Sequence, residues 1–359
     1  MKKSLVSIAV LSALSSAAFA QSNVTIYGIV DAGLVSERGG ITGTSEKLTS
    51  GVASASRIGF KGTEDLGGGL SAIFKLETGF RVDTGALDNT NNALFNREAF
   101  VGLSSKEAGT LTLGRQYTPM YETLRDVGDP FAVGYAGTAK NLFPVAGDLT
   151  RTSNSIVYQT PAYQGFKGEV SYTLGEQAGN ATAGREYGMY VEYANGPLTS
   201  RIVYNARNND TATLTTGGIG HNTMFAANYD FQIAKAYFAY SQDKGLNSAA
   251  LNNATQAFVG SSTVASTDST DLLVGATVPV TGTNGTVMAS YIKKNDKNVA
   301  NRDADQWAIG YTYALSKRTS TYVAYAKIKN KNGANYTVGN NSEAGTGDKA
   351  FNLGLKHAF

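Results

Sequence analysis

The chain contains no cysteine, so neither disulfides nor thiolate metal sites can form. Only His221 and His357 offer imidazole. They stand far apart, without ligand spacing and without an acid partner beside a nucleophile, which argues against a metal centre or a hydrolytic triad. An excess of charge is also missing. Lys and Arg number 31 against 28 Asp and Glu, and losing Lys2 and Lys3 with a leader would cut the excess to one. A basic footprint for nucleic acid is therefore absent. No cofactor motif stands out: Gly67-Gly68-Gly69 follows Glu64-Asp65-Leu66 and opens a strand, and no Gly-Lys-Ser/Thr follows it, so it reads as a turn and not a phosphate loop.

Long apolar runs are missing beyond the first residues. Residues 1–20 read as a cleavable leader: Lys2 and Lys3 form a basic start, Leu5 to Leu14 an apolar centre, and Ala18-Phe19-Ala20 a small-residue cleavage site. Serines interrupt the apolar centre, which is too short to span a bilayer as a helix. The expected division is a signal peptide over 1–20 and one domain over 21–359, exported from the cytoplasm.

What the chain has instead is alternation. In Gln306–Leu315, Trp307, Ile309, Tyr311, Tyr313 and Leu315 alternate with Gln306, Ala308, Gly310, Thr312 and Ala314. In Phe166–Leu174, Phe166, Val170, Tyr172 and Leu174 oppose Lys167, Glu169, Ser171 and Thr173. The last residues set Phe351, Leu353, Leu355, His357 and Phe359 against Asn352, Gly354, Lys356 and Ala358. A period of two with one apolar and one polar face marks a strand between two different solvents. About sixteen such runs follow one another, joined by alternating short and long connections. Short ones include 65–69, 106–109, 195–197, 281–284 and 316–317; long ones include 37–53, 83–94, 117–150, 210–220 and 245–267. An even strand count with tight turns at one rim and long loops at the other implies an all-β fold, a transmembrane antiparallel β-barrel. The 41 glycines and 20 tyrosines suit tight turns and aromatic girdles. A secreted β-sandwich would turn its apolar face inward and use fewer strands; a propeller would show a recurrent motif, and none is found.

The rhythm stops between Gly114 and Thr152. There Thr118 can N-cap a short helix with Pro119 at its first position and Gly128 at its end. At roughly 100° per residue, Glu122, Asp126 and Asp129 share one side and Met120, Leu124 and Val127 the other. Such a segment can pack its apolar side on a wall and present carboxylates to water.

Several motifs together resemble the general porins of Gram-negative bacteria, in the β-proteobacterial and neisserial branch. They are NVTIYGIVDAGL, SRIGFKGTEDLGGGL, FNREAFVGLSS, TLTLGRQY before the long connection, RTSNSIVY after it, and GLKHAF at the end. The resemblance implies a sixteen-stranded trimeric barrel whose third loop, about 117–150, folds inward and narrows the pore. It implies that Arg57, Arg97 and Arg151 form a basic wall opposite the acidic loop residues Glu122, Asp126 and Asp129. Terminal Phe359 would be read by the barrel-assembly machinery.

Parity extends this set. Lys75 and Arg81 share the inward face with Glu77, while Phe74, Leu76 and Phe80 point out. Arg97 places Glu98 and Phe100 outward, where a trimer contact would have to shelter Glu98 from lipid. Arg115 shares its face with Leu111 and Leu113, so it points out and resembles a latch to a neighbouring subunit, with Asp83 or Asp88 as the acid. Lys293, Lys294 and Lys297 read as a solvated basic loop run, with contact to lipopolysaccharide as the alternative. The function expected is passive diffusion of ions and small hydrophilic solutes with weak anion preference, without cofactor or metal. A substrate-specific channel and, more remotely, an outer-membrane barrel enzyme are the competing readings.

Overall fold

The computed structural model describes residues 23–89, 92–146, 149–215, 217–250 and 253–359; the expected signal peptide lies outside them. The chain opens with β1 (Asn23–Gly40), β2 (Gly43–Ser50), β3 (Arg57–Gly67), β4 (Leu70–Gly79), β5 (Glu98–Ser105) and β6 (Gly109–Tyr117). A short helix, α1 (Pro119–Thr123), and a π-helical turn (Leu124–Gly128) interrupt the series. It resumes with β7 (Arg151–Gln159), β8 (Phe166–Thr173), β9 (Glu186–Asn195), β10 (Leu198–Asn208), β11 (Ile219–Asp230) and β12 (Lys235–Lys244). The last five are β13 (Asp268–Pro279), β14 (Gly285–Asp296), β15 (Ala304–Ala314), β16 (Thr319–Asn330) and β17 (Lys349–Ala358).

From β3 onward each strand pairs antiparallel with the next, and β1 pairs with β17, which closes the sheet. β2 pairs with the second half of β1 and β3 with the first half. The two therefore occupy one position, and the barrel has sixteen. The expected loop over 37–53 is thus largely a hairpin. Its β2 arm, Gly43–Ser50, carries a single apolar residue, Leu48, so it lacks the apolar alternation by which a membrane-spanning strand is recognised.

Short turns lie at one rim together with the C-terminus, where Phe359 exchanges backbone hydrogen bonds with Gly28 at 3.1 Å in both directions. The longer connections gather at the other rim. Outward faces expose Val101, Leu111, Ile202, Trp307, Ile309 and Leu353, an arrangement that water would not tolerate and lipid covers. Ladder closure satisfies the backbone within the bilayer. Among the described residues no helix is long and apolar enough to cross a membrane.

The buried apolar cluster sits inside the barrel and consists largely of the segment between β6 and β7. Met120, Leu124, Val127, Phe131, Leu142 and Phe143 pack there with wall residues such as Ala226, Ala239 and Leu273. Thr118 caps α1, its hydroxyl accepting from the Tyr121 amide at 3.2 Å. The apolar side of α1 and of the π-turn lies on β9 to β12. Farther on, Asn228 of β11 donates to Val127 O at 3.0 Å, Gln306 of β15 to Gly137 O at 3.2 Å, and the Tyr135 amide to Val52 O at 2.8 Å. The segment follows the inner wall and leaves the side formed by β3 to β7 uncovered.

Candidate functional site

The uncovered wall carries a chain of alternating charges. Arg57 opens β3 and Glu77 lies near the end of β4, so the β3–β4 ladder brings them side by side, with the Arg57 Nε 3.6 Å from Glu77 Oε2. Arg97 donates from Nε to Glu77 Oε1 at 2.7 Å and from a terminal nitrogen to the Tyr117 hydroxyl at 2.6 Å. Arg151, the first residue of β7, also donates to the Tyr117 hydroxyl at 2.6 Å. It lies 4.2 Å from the centre of the same ring. The three arginines therefore come together as one cluster around Glu77 and Tyr117, and Tyr117 is a member that strand parity does not reveal.

Lys75 and Arg81 flank this cluster without an ion pair to Glu77, although Lys75 is near enough for its charge to act on that carboxylate. Lys75 pairs with Glu98 and lies 5.9 Å from the centre of the Tyr27 ring. Arg81, beyond the end of β4, is held by Asp88 at 3.2 Å and Glu343 at 3.3 Å. The Lys75–Glu98 pair corrects the expected direction of Glu98. It stands opposite Glu77 in the β4–β5 ladder and is 7% exposed, while Val101 and Leu103 face out. Arg97 precedes the first residue of β5, so period-two alternation does not bind it, and Arg97 and Glu98 both point inward. No trimer contact is needed to shelter Glu98.

The facing segment is less acidic than expected. Glu122 and Asp126 flank Arg125, which grips Asp126 through two bonds of 2.6 and 2.9 Å and lies 3.6 Å from Glu122. The Arg125 guanidinium also lies 4.9 and 5.5 Å from the centres of the Tyr117 and Tyr121 rings, which stack in parallel at 4.9 Å. Burial, reinforced by the Glu169 carboxylate, pushes the Glu122 carboxyl up to about 8. A sequence signal for Arg125 exists: its spacing from Glu122 is that of an i,i+3 ion pair.

Asp129 leaves the acidic set. It is 2% exposed and accepts from the amides of Phe131, Val133 and Ala139 at 2.9 to 3.0 Å. The helical phase that would align it with Glu122 is lost because α1 passes into a wider π-turn, after which Asp129 is extended. Burial pushes its carboxyl up to about 6 against those three amide bonds. A further cation comes from the same segment. Lys140 donates to Asn341 O at 2.7 Å, and burial with the nearby Arg151 and Arg97 pulls its ammonium down to about 8.

Arg115 points outward at a bulge in the β6–β7 ladder, where it donates to Asn96 O at 2.7 Å and Ser153 Oγ at 3.0 Å. Lys293 and Lys294 lie on β14 and not in a loop, so they face opposite ways. Lys293 is exposed, while Lys294 is fully buried against Asp271 at 2.9 Å and Leu142 O at 3.1 Å. Among the described residues no group of three or more His, Cys, Asp or Glu could hold a metal ion.

The geometry is that of a water-accessible lumen narrowed by an internal segment, with charge arranged along a fixed wall and, among the described residues, no bond-making constellation. The profile of the Gram-negative porin family matches residues 7–333. Outer membrane porin protein 32 of Delftia acidovorans is 33% identical over the full length of both chains. An outer membrane porin protein of Bordetella pertussis is 30% identical over 91% of this chain and 94% of its own length. The solved anion-selective porin from Comamonas acidovorans superposes with a TM-score of 0.75 at 28% identity, over 94% of this chain and all of its own. This chain belongs to the Gram-negative porin family, as an outer-membrane β-barrel for passive diffusion and not an enzyme.

Proposed function

We propose that the constriction gives this porin a weak preference for anions among the ions and small hydrophilic solutes that diffuse through it. The observation that carries the reading is Arg125. With it, four guanidiniums (Arg57, Arg97, Arg151 and Arg125) face three carboxylates (Glu77, Glu122 and Asp126), and Glu122 is mostly uncharged at neutral pH. Arginine cannot lose its charge under physiological conditions. Selectivity follows the narrowest section of a channel and not its net charge. The Comamonas acidovorans porin is anion-selective, which points the same way. Reversal potentials across a potassium chloride gradient test it. Anion preference that fades at high salt, as the charges are screened, is expected; cation preference in the wild type overturns the reading.

The inward segment sets the size cut-off, and shortening it between Tyr121 and Tyr135 is expected to raise conductance. The chain works as a homotrimer in which Arg115 meets an acid of the next subunit. Asp88 is already engaged by Arg81, which leaves Asp83 as the acid. Migration as a trimer in mild detergent tests this, and a strictly monomeric protein refutes it. Residues 1–20 are the export signal, and Phe359 is read by the barrel-assembly machinery. Lipopolysaccharide surrounds the long-loop rim, which faces the cell exterior.

A further inference from the structure

We propose that the outer wall between β14 and β16 carries a site for the phosphorylated head of an outer-leaflet glycolipid, with Lys327 and Lys329 binding the phosphate. It rests on the reading that the long-loop rim faces outward, and it assigns a place and a chemistry to the lipopolysaccharide contact.

The register of three strands builds the site. On the lipid-facing side Tyr291, Trp307 and Lys327 stand in one row, and Lys293, Asp305 and Lys329 in the next row toward the long-loop rim. Below them Ile309 pairs with Tyr325, whose ring lies 5.3 Å from that of Trp307. Trp and Tyr at such a height mark the boundary between acyl chains and headgroups. The lysines one row higher therefore stand at the level of lipid phosphates.

Asp305 makes no ion pair with Lys327 or Lys329, although it stands opposite Lys293 and its charge acts on that lysine. It is taken by Lys331 at 2.7 Å and by the Tyr291 hydroxyl at 2.9 Å. Asp348, at the edge of the same space, has Lys349 at 3.9 Å. Among the described residues no carboxylate lies within ion-pairing distance of Lys327, Lys329 or Lys293, whose ammonium groups are left facing the leaflet.

A roof converts this patch into a pocket. Phe258 and Val259 overhang the wall and enclose with it a cavity of about 820 Å³. Val259 is 94% exposed, an apolar tip held out from the barrel. The overhang is fixed in place by Asn335, which is fully buried. Asn335 accepts from the Ala257 amide and the Ser261 hydroxyl at 2.8 Å, and donates to Asn253 O and Thr255 O at 2.9 Å. A rigid apolar lip, an aromatic floor and unpaired ammonium groups suit an amphiphile with an anionic head and acyl chains. A free anion would use only the lysines, and nothing about it calls for the lip.

The test is native mass spectrometry of the full-length protein in mild detergent, titrated with bisphosphorylated lipid A. The wild type is expected to bind, and K327Q and K329Q each to bind about 5-fold more weakly, as for loss of one lysine beside an anionic lipid surface. V259D, a change at an exposed tip, is expected to weaken binding too, and K106Q at the opposite rim to leave it unchanged. Equal affinity in the K327Q/K329Q double variant overturns the proposal. So does displacement of the lipid by inorganic phosphate alone, which would mark a free-anion site. Loss of subunit association in the double variant assigns the patch to a second copy and equally overturns it. Orientation is checked separately: the thiol of Val299→Cys, at a fully exposed position in a cysteine-free chain, should react with an impermeant reagent on intact cells. Failure to label sinks the rim assignment, and the glycolipid site with it, whatever the affinities in detergent.

Discussion

Arg125 and Asp126, neighbours in the chain, face the lumen as a two-bond pair with contacts of 2.6 and 2.9 Å. The loop expected to supply the negative side of the pore thus carries its own counter-charge. Removing it by R125Q frees Asp126 and leaves Glu122 without its cation. One unit charge at roughly 10 Å in water is worth about 0.4 kcal/mol, about twofold for each ion. The anion-to-cation permeability ratio is therefore expected to fall about fourfold. A ratio unchanged in R125Q would remove Arg125 from the permeation path.

Two groups of the same loop make selectivity depend on pH. Glu122, held up to about 8, is neutral below that value and gains a negative charge above it. Lys140, held down to about 8, is positive below it and neutral above. Both changes make the lumen more negative as pH rises, so anion preference is expected to fall between pH 7 and 9 and to return on acidification. In E122Q the fall should be about halved, and in E122Q/K140Q absent. Reversal potentials over that range decide it; a pH dependence that survives in the double variant assigns the titration elsewhere.

The barrel was legible because lipid and water impose opposite demands on alternate residues, and that demand is written in period two. All sixteen barrel positions correspond to runs readable in the sequence. Legibility ended where the demand ended. β2 offers the apolar band a single residue, Leu48, and Arg97 stands one residue outside β5. In the inward loop, Met120, Leu124 and Val127 could be placed by helical phase, and they are buried. Asp129 could not, because the π-turn changes the phase. Lys140 near the arginine wall and Tyr117 between Arg97 and Arg151 depend on chain returns over tens of residues, which carry no local pattern.

The loop's position is set partly by missing side chains on the wall. A Cβ at Gly275 of β13 would lie 2.7 Å from Pro130 Cγ, and one at Gly310 of β15 would lie 3.0 Å from Phe131 Cε1. Both rings sit in strand hollows that only glycine leaves open. Gly275→Val is expected to push the loop into the lumen and lower single-channel conductance, at a cost of about 1–3 kcal/mol for overpacking. The same Cβ would lie 2.7 Å from Ala289 O of the adjoining β14, so the ladder must shift there too, and conductance is to be read on variant protein shown to assemble. Wild-type conductance in Gly275→Val would show that the loop is held by its other contacts alone.

Asp129 is expected to organise that loop from within. Its carboxylate gathers the amides of Phe131, Val133 and Ala139. The run it encloses is strained, with Ala132, Val133 and Tyr135 at φ of 48°, 56° and 59°, a region that non-glycine residues enter at a cost. In D129A three buried amides lose their acceptor at about 1–3 kcal/mol each, and the strained run keeps only its backbone bonds, such as Gly134 N to Phe131 O, and its contacts to the wall. The segment over 130–146 should then become open to protease in folded protein, and single-channel records should grow noisy with a larger mean conductance. D129N keeps one acceptor oxygen and should fall between. If D129A resists cleavage like the wild type and conducts like it, the wall contacts of Asn228, Gln306 and Val52 suffice, and Asp129 is no more than a satisfied buried acid.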